Sequence, residues 1–203
     1  MGRLIEIIKS RRSIRDFLLK KVDPAQIRQL IEAARWAPSA HNSQPWRFLL
    51  LDEKEGKKRL ADAMSQAFRN ALGKDGHPVE TIGDQVLNSC RRIQKAPSLI
   101  LVCLCKEDCR RYPDKRRKRL EETLAHQGIG TAVQNILLLA ASLRLAACWI
   151  SAPLFCPRAV RKGLPIPKNW LPVALIAVGH PKRVPKPRKR YGLRKIFVTG
   201  RKG

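Results

Sequence analysis

Long hydrophobic runs are absent from this 203-residue chain. Apolar stretches such as residues 137–141 and 173–178 fall far short of the about 20 residues that a membrane-spanning helix needs. The N-terminal sequence Met-Gly-Arg-Leu-Ile-Glu also lacks the apolar core of a secretory signal. We therefore expect no membrane partner and a cytoplasmic location. The length predicts a single domain over residues 1–203.

Several catalytic signatures are missing as well. The sequence contains no GxGxxG fingerprint, no Gly-rich phosphate loop, no Ser-His-Asp arrangement and no carboxylate pair at a useful spacing. The six cysteines form no CxxC motif. Cys103 and Cys105 would share one face of a strand, but no His pair completes a tetrahedral site around them. We expect reduced, buried thiols and no bound metal.

Acidic residues are scarce: 16 Asp and Glu stand against 42 Lys and Arg, which gives a formal net charge of +26. This excess suggests an anionic partner, which could be a nucleotide cofactor, a nucleic acid or an acidic membrane surface. The cations are concentrated in residues 115–119 and in residues 182–203, which hold no Asp or Glu and which we interpret as a basic C-terminal extension. Such runs are usually solvated surface, so charge alone does not choose among these partners.

Helical and strand patterns alternate along the chain. Asp23 before Pro24 is a typical helix N-cap, and apolar residues at helical spacing follow to about Trp36. Further helices are predicted over 54–72, 79–95, 120–145 and 157–164; strands over 46–51, 97–105 and 171–178; a short extended piece over 148–153; and a basic loop before residue 120. The apolar second half of the 120–145 helix predicts burial on all sides, either at the centre of the domain or at a subunit interface. The pattern is that of an α+β or α/β domain.

Residues 11–15, Arg-Arg-Ser-Ile-Arg, form what we call the arginine segment. The guanidinium groups of Arg11, Arg12 and Arg15 can bind phosphate oxygens in a bidentate manner, and the Ser13 hydroxyl adds a neutral donor. In so basic a chain, the same segment could be an ordinary solvated run.

A polar loop follows the first predicted helix between Pro38 and Pro45, and we call residues 38–45 the amide loop. Asn42 and Gln44 could present their amide groups to the polar edge of a flat heterocycle, held there by the proline-stiffened backbone. Loop amides also stabilise turns, and that alternative stays open at this point.

The two segments in this order resemble the FMN-dependent nitroreductase family. The resemblance rests on the arginine segment, then on residues 37–46, Ala-Pro-Ser-Ala-His-Asn-Ser-Gln-Pro-Trp, leading into a strand. It continues through the long apolar helix, residues 148–155, and the strand closing with Gly-His-Pro at 179–181 before Lys-Pro-Arg at 186–188. It covers nearly the whole chain.

The resemblance implies a three-layer α+β sandwich, with a central, mostly antiparallel sheet flanked by helices, in a homodimer that holds FMN at the subunit interface. It also implies ping-pong transfer of reducing equivalents from NADH or NADPH through the flavin. No acid or base side chain is required, so no catalytic residue is named. The resemblance assigns cofactor binding to Arg11, Arg12, Ser13, Arg15, Pro38, Ser39, Ala40, Asn42, Gln44, Ser151, Ala152, Pro153, Lys186 and Arg188, with the residues 38–40 coming from the partner subunit.

Within the family, residues 37–46 and 152–157 resemble most the reductase domain attached to the glutamyl ligase of deazaflavin-coenzyme biosynthesis. The acceptor would be a small conjugated, quinone, nitro or deazaflavin-type molecule, and the cations at 115–119 favour an acidic one.

Two alternatives to this function remain. The basic runs could bind nucleic acid, although aromatic residues are only 5% of the chain. The family also includes enzymes with flavin-cleaving or dehalogenating chemistry.

Overall fold

In the computed structural model, residues 2–200 of the chain are described. Residues 201–203 of the predicted basic extension lie outside them. The helices are α1 (Arg3–Ser10), α2 (Pro24–Arg35), α3 (Lys54–Lys74), α4 (Val79–Lys95), α5 (Lys115–Ser142), α6 (Ala152–Phe155), α7 (Pro157–Gly163) and α8 (Leu193–Ile196). The strands are β1 (Trp46–Leu51), β2 (Ser98–Cys105), β3 (Ala146–Ile150) and β4 (Trp170–Gly179).

The four strands form one antiparallel sheet in the order β1-β2-β4-β3. The central strand β2 is buried along its whole length, so it reads as one apolar run rather than an alternating pattern. Its side chains alternate between two cores, because successive residues of a strand point to opposite faces. Ile100 and Val102 join α2 and α5, whereas Leu99 and Leu101 join α3 and α7. This arrangement confirms the predicted three-layer α+β fold.

The strongest local signals of the sequence are confirmed. Pro24 occupies the first position of α2, and the Asp23 carboxylate accepts a hydrogen bond from the Ala25 N–H at 2.8 Å. That bond satisfies a backbone donor with no partner inside the helix. The predicted strand at 46–51 and helix at 79–95 match β1 and α4.

The predicted basic loop before residue 120 is wrong, because α5 begins at Lys115. The Asp114 carboxylate accepts a hydrogen bond from the Arg117 N–H at 2.8 Å and so caps the helix. A buried stripe starting at Glu121 continues along α5 and holds its first turn in register. Tertiary burial thus outweighs the mutual repulsion of the cations.

One further expectation is corrected. Residues 152 and 153 of the predicted extended piece are helical, and Pro153 fits this first turn because a helix needs no N–H there. Within one chain Leu138 and Leu139 of α5 are only half-buried, so the predicted burial on all sides requires a subunit interface.

None of the helices within residues 2–200 combines the length and hydropathy that crossing a bilayer requires. The same part of the chain contains no group of three or more His, Cys, Asp or Glu side chains suited to a metal ion. All six cysteines are free thiols. Burial raises the pKa of Cys103 to about 12, so this thiol stays neutral.

Candidate cofactor site

The arginine segment is tied by its backbone to the sheet. The Ile14 N–H donates to the carbonyl of Ala147 in β3 at 3.1 Å, and Ser13 forms an isolated parallel bridge with the same residue. Further along, the Leu18 N–H donates to the His180 carbonyl at 2.9 Å. The segment therefore lies beside β3 and the residues that follow β4, where the scaffold fixes its direction.

Gly179 makes this docking possible. A Cβ atom added there would lie 2.7 Å from Cδ1 of Phe17 and 2.8 Å from Cγ of Pro97. These separations are far below ordinary van der Waals contact, so only glycine lets the Phe17 ring pack at the end of β4. The sequence reasoning attached no such meaning to this glycine.

A cleft of about 200 Å³ opens at β3, and we call it the β3 cleft. Two guanidinium groups, those of Arg15 and Arg92, line it, and none of its lining residues is acidic. The remaining lining residues are mostly apolar: Phe17, Ser89, Ile93, Cys148, Trp149, Ile150, Ala152 and Ala177. Apolar walls with a few cations suit a flat heterocycle that carries negative charge.

The Cys148 thiol reports the electrostatic field in this cleft. Burial raises its pKa, while the nearby guanidinium groups of Arg15, Arg92 and Arg11 act in the opposite direction. The three arginines are therefore close enough to act on one point, although they come from two distant stretches of the sequence.

Ser89 and Arg92 were missed by the sequence reasoning. They stand three residues apart on α4, so they share one face of that helix, beside the buried Ile93. A polar pair on an otherwise apolar helix face was the available signal. It is weak, because many surface helices carry such pairs.

A second cleft of about 200 Å³, the α1 cleft, lies at the other end of the arginine segment. Arg11, Arg12 and Ile14 line it, together with Ser10, Leu137, Ala141, Arg144, Leu145, Ala147, Pro181 and Val184. The Arg12 guanidinium donates to the carbonyl of Lys9 at 2.7 Å and to that of Arg11 at 2.9 Å. Arg12 thus caps the end of α1, where a cation also complements the helix dipole.

The amide loop adopts an unusual backbone conformation. His41, Asn42 and Gln44 have φ angles of 56°, 52° and 46°, a region that non-glycine residues seldom occupy. The Gln44 N–H donates to Oγ of Ser39 at 3.0 Å. The Gln44 side-chain amide donates to Oδ1 of Asn42 at 3.3 Å. These contacts keep both amide side chains on an exposed surface.

Helix α5 packs against the amide loop at residues 38 and 39. The Thr131 hydroxyl lies 2.9 Å from the Pro38 carbonyl and 2.8 Å from the Gly128 carbonyl of its own helix, so the two acceptors share its one proton. A Cβ atom at Gly128 would approach Cβ of Ser39 to 3.3 Å, so the small residue permits close packing. No residue from 38–44 lines the β3 cleft or the α1 cleft. Within one protomer the structure does not bring the amide loop to the arginine segment.

Glu121 lies under the same loop and is 3% exposed. Its Oε1 accepts a hydrogen bond from the Arg110 N–H at 3.1 Å. Its Oε2 has no hydrogen-bond partner among the described residues and lies 4.0 Å from Nε2 of His41. This contact with α5 agrees with a loop-packing role for the His41 side chain.

The other predicted cofactor-binding residues divide into two groups. Ala152 lines the β3 cleft, Pro153 beside it is buried, and Ser151 is exposed. Lys186 and Arg188 are exposed and make no hydrogen bond or ion pair to any residue within 2–200. Val184, two residues before Lys186, lines the α1 cleft, so the extension leaves the domain close to the arginine segment.

Solved structures resemble this fold over its full length, and two of them are described as examples. A nitroreductase, provisionally so named, in complex with FMN from Desulfovibrio desulfuricans superposes with a TM-score of 0.72 at 26% identity, covering 100% of this chain and 99% of the other. A BluB-like flavoprotein from Clostridium difficile 630 superposes with a TM-score of 0.82, covering 99% and 100%. At 22% identity, the second match shows a shared fold.

Sequence comparison gives the family. The protein YfhC of Bacillus subtilis, provisionally named an NAD(P)H nitroreductase, is 28% identical over 195 residues, 96% of this chain and 93% of YfhC. The 5,6-dimethylbenzimidazole synthase of Rhodospirillum rubrum is 27% identical over 172 residues, 85% of this chain and 79% of that enzyme. The model of the nitroreductase family matches residues 8–180. The predicted resemblance is confirmed, and the chain belongs to the nitroreductase family.

Proposed function

We propose that this FMN-dependent oxidoreductase takes hydride from NADH or NADPH and passes it, in ping-pong order, to a small conjugated acceptor. The acceptor class comprises quinones, nitro compounds and deazaflavin-type molecules. The observation that carries the proposal is the arginine segment, fixed along β3 between two clefts of cationic character. We treat residues 1–203 as one domain with a basic C-terminal extension.

The residues present fit FMN. Phosphate needs several charge-assisted donors, and Arg11, Ser13 and Arg15 supply them from one short segment. The isoalloxazine ring needs apolar walls, which Trp149 and Ile150 supply in the β3 cleft. The shared effect of three guanidinium groups on Cys148 places positive potential between the two regions. Such potential favours the anionic forms of a flavin and its phosphate.

When bound, FMN supplies the hydride chemistry itself. The chain's own residues bind and orient it. We assign the phosphate to Arg11, Arg12, Ser13 and Arg15, with Lys186 and Arg188 completing the binding from the extension. Ser89 and Arg92 contribute a hydroxyl donor and a cation to the β3 cleft, and the residues 151–153 border it. The apolar walls exclude water from the ring face.

We propose that the active form is a homodimer in which the amide loop of one protomer completes the site of the other. Ligand pockets usually enclose roughly 300–1,000 Å³, whereas each cleft of the single protomer is about 200 Å³. A second surface is therefore needed to enclose a flavin. The amide loop offers such a surface: Pro38, Asn42 and Gln44 are exposed, and Ser39 and Ala40 are half-buried.

Exposed apolar side chains support the dimer. Phe155, at the end of α6, is 86% exposed, and Phe197 and Val198 of the extension are 67% and 87% exposed. Leu138 and Leu139 of α5 are only half-buried. Apolar groups gathered on a protein surface usually mark an interface.

The first test is the visible absorption spectrum of the purified protein before and after anaerobic addition of NADH or NADPH. Bands of oxidised flavin that bleach with the reductant support the proposal. A colourless protein that cannot be reconstituted with FMN contradicts it. Sedimentation analysis of the same sample tests the dimer, which must predominate at micromolar concentration.

A complementation experiment tests the shared site directly. The variant Arg11→Ala disables the phosphate region of each site, and the double variant Asn42→Ala/Gln44→Ala disables the loop. At an FMN concentration that loads the wild type but neither variant, each variant alone is inactive. If each site combines one protomer's arginine segment with its partner's loop, mixing the two variants at this concentration restores up to one working site per heterodimer. If both elements act within one protomer, no activity returns on mixing.

An acidic acceptor is favoured because cations dominate the surface. A matched pair of quinones, one neutral and one carrying a sulfonate group, distinguishes electrostatic attraction from ring recognition. We expect the sulfonate to lower KM at low ionic strength, and salt to abolish the difference. Equal KM values at low salt contradict this preference.

A second candidate function is flavin-cleaving chemistry. It is favoured by the similarity to the 5,6-dimethylbenzimidazole synthase of Rhodospirillum rubrum. Incubating the protein with excess FMN, NADPH and oxygen distinguishes the two. A reductase leaves the total flavin unchanged over many turnovers, whereas a cleaving enzyme consumes flavin in proportion to the product formed.

A further inference from the structure

A second cationic surface lies at the start of α5. Residues 110–119, the basic segment, contain seven Lys and Arg side chains and one carboxylate, that of Asp114. Asp114 caps α5 and pairs with Arg117. All seven cations are exposed, and within residues 2–200 none of the other six has a carboxylate partner.

The basic segment is separate from the two clefts. None of its residues lines either of them. Leu137, the α5 residue that lines the α1 cleft, lies roughly 30 Å further along the helix than Arg117, at 1.5 Å per residue. Within one protomer, the cations of the basic segment therefore serve neither cleft.

These charges stand where a helix tolerates them least. Five consecutive cations, residues 115–119, fill the first five positions of α5. This end of a helix carries partial positive charge from the backbone dipoles. Like charges three and four residues apart, such as Lys115 with Lys118 and Arg119, also repel one another. A bound polyanion relieves both effects, so the free protein keeps a charge arrangement that favours binding.

Part of the segment is already ordered. The guanidinium carbons of Arg110 and Arg117 lie 5.8 Å and 5.2 Å from the centre of the Tyr112 ring. Cation–π contacts of this kind hold both groups beside the ring. The rest of the cations are carried by a helix whose position is fixed by its buried stripe, so little ordering is required when a ligand binds.

We propose that the basic segment is a docking surface for the phosphodiester backbone of nucleic acid. Five of its seven cations are arginines, whose planar groups bind phosphate oxygens in pairs. A small anion neutralises one or two charges, whereas a chain of phosphates can neutralise the whole row. The segment holds no aliphatic side chain that could enter a bilayer. Tyr112 is half-buried beneath guanidinium groups, so recognition is independent of base sequence.

The C-terminal extension provides a matched comparison. Residues 182–200 carry eight Lys and Arg and no acidic residue. Prolines and exposed apolar residues separate these cations, and only the four residues of α8 are helical. Two of the cations, Lys186 and Arg188, belong to the proposed cofactor site. The extension therefore has similar charge without a rigid row of arginines.

The experiment measures fluorescence anisotropy of a labelled 20-nucleotide single strand of mixed sequence against FMN-loaded protein from 50 to 300 mM NaCl. The basic-segment variant is Lys115→Gln/Arg116→Gln/Lys118→Gln/Arg119→Gln. The control variant, Lys189→Gln/Arg190→Gln/Arg194→Gln/Lys195→Gln, loses the same charge from the extension. We expect the first variant to bind about tenfold or more weakly at 100 mM NaCl, with a log–log salt slope shallower by roughly 2–3. The control loses less than about threefold.

Equal losses in the two variants would show that net charge alone attracts the strand, and would overturn the assignment to the basic segment. So would a segment variant that binds the strand normally but no longer binds phosphatidylserine vesicles, which would point to a membrane surface.

A second measurement uses the wild-type protein, so that folding of the variant is not at issue. Lysine acetylation followed by mass spectrometry should show protection of Lys115 and Lys118 by the strand, and little protection of Lys189 and Lys195. The reverse pattern contradicts the proposal.

Discussion

The two arginine-rich parts of this protein, the arginine segment at 11–15 and the basic segment at 110–119, are alike in composition and different in structure. The first is bound to the sheet by backbone hydrogen bonds, and its residues lie half-buried beside two clefts, apart from the buried Ile14 and the exposed Arg15. The seven cations of the second are all exposed at or just before the start of a helix, and the segment lines neither cleft. Composition alone does not distinguish them.

The difference shows what converts a cationic run into a small-ligand site. A phosphate ester on a cofactor must be held at one point, so its donors need a fixed backbone and adjoining apolar walls. A polymer of phosphates needs only a row of charges at a fitting spacing, which an exposed helix supplies. The arginine segment has the first arrangement and the basic segment the second.

The largest effect is expected for a substitution in the arginine segment. Replacing Arg11 with Ala removes a charged donor to the cofactor phosphate, and such bonds contribute about 1.5–3 kcal/mol. We expect the dissociation constant of FMN to rise by about 10- to 100-fold. At saturating FMN, the rate of reduction by NADH should change only a few-fold, because the residue acts on cofactor binding. Quenching of flavin fluorescence measures the first quantity and stopped-flow absorbance the second.

Arg116→Ala is the matched control, since it removes the same side chain from the basic segment. This variant should change the dissociation constant of FMN by less than about twofold relative to wild type, because the Arg116 side chain is solvent-exposed and salt screens its charge. If Arg11→Ala keeps full FMN occupancy, or if both variants lose FMN equally, the distinction between the two segments fails.

The second prediction tests whether packing of Phe17 against the end of β4 is needed for FMN binding. In Gly179→Ala the new Cβ must displace Phe17 or Pro97, and crowding of this kind costs about 1–3 kcal/mol of unfolding free energy. Because Phe17 anchors the arginine segment, FMN binding should weaken as well. Gly192→Ala meets open space and should be close to neutral. Urea denaturation measures stability. Normal stability together with normal FMN affinity in Gly179→Ala would show that the docked position has no importance.

A third cation, Lys57, shows the effect of burial without an anionic ligand. Its ammonium group donates to the carbonyls of Ala96 and Pro97 at 2.8 and 3.1 Å, and the residue is 6% exposed. Lys57→Met leaves these acceptors unpaired, which should cost about 1–3 kcal/mol. Lys57→Arg keeps a donor and serves as the control for hydrogen bonding.

The pH dependence gives an independent check on Lys57. Burial lowers the pKa of its ammonium group in the folded protein. The unfolded chain therefore binds this proton more strongly, and stability gained through Lys57 rises with pH between the folded pKa and the ordinary lysine pKa of about 10.4. The stability difference between wild type and Lys57→Met should widen as pH increases through this window. A difference that is constant or narrows would contradict the lowered pKa.

The sequence predicts those parts of the fold that depend on interactions between residues close together in the chain. The α2 cap at Asp23 and the buried strand β2 each have a signal in a few adjacent residues. The helical state of residues 115–119 depends on the buried stripe that follows them, so local charge misled the prediction. Ser89 and Arg92 reach the β3 cleft through tertiary packing. Family resemblance named the amide loop as part of the site, yet none of its residues lines either cleft within one chain, which is why we propose that a second protomer completes the site.

The smallest expected effect concerns this loop, which would complete the arginine segment's site from the partner. Thr131→Val removes the hydroxyl that donates to the Pro38 carbonyl. Since Pro38 is exposed, water can replace part of the bond, and we expect a stability loss of about 0.5–1.5 kcal/mol. Thr123→Val is the control, because its hydroxyl bonds only to the Arg119 carbonyl within α5. Amide hydrogen exchange should become faster at Asn42 and Gln44 in Thr131→Val and stay unchanged in Thr123→Val.

If the dimer forms around this loop, FMN should also dissociate faster from Thr131→Val. Faster exchange with an unchanged FMN dissociation rate would mean that the loop is anchored by α5 but takes no part in the cofactor site.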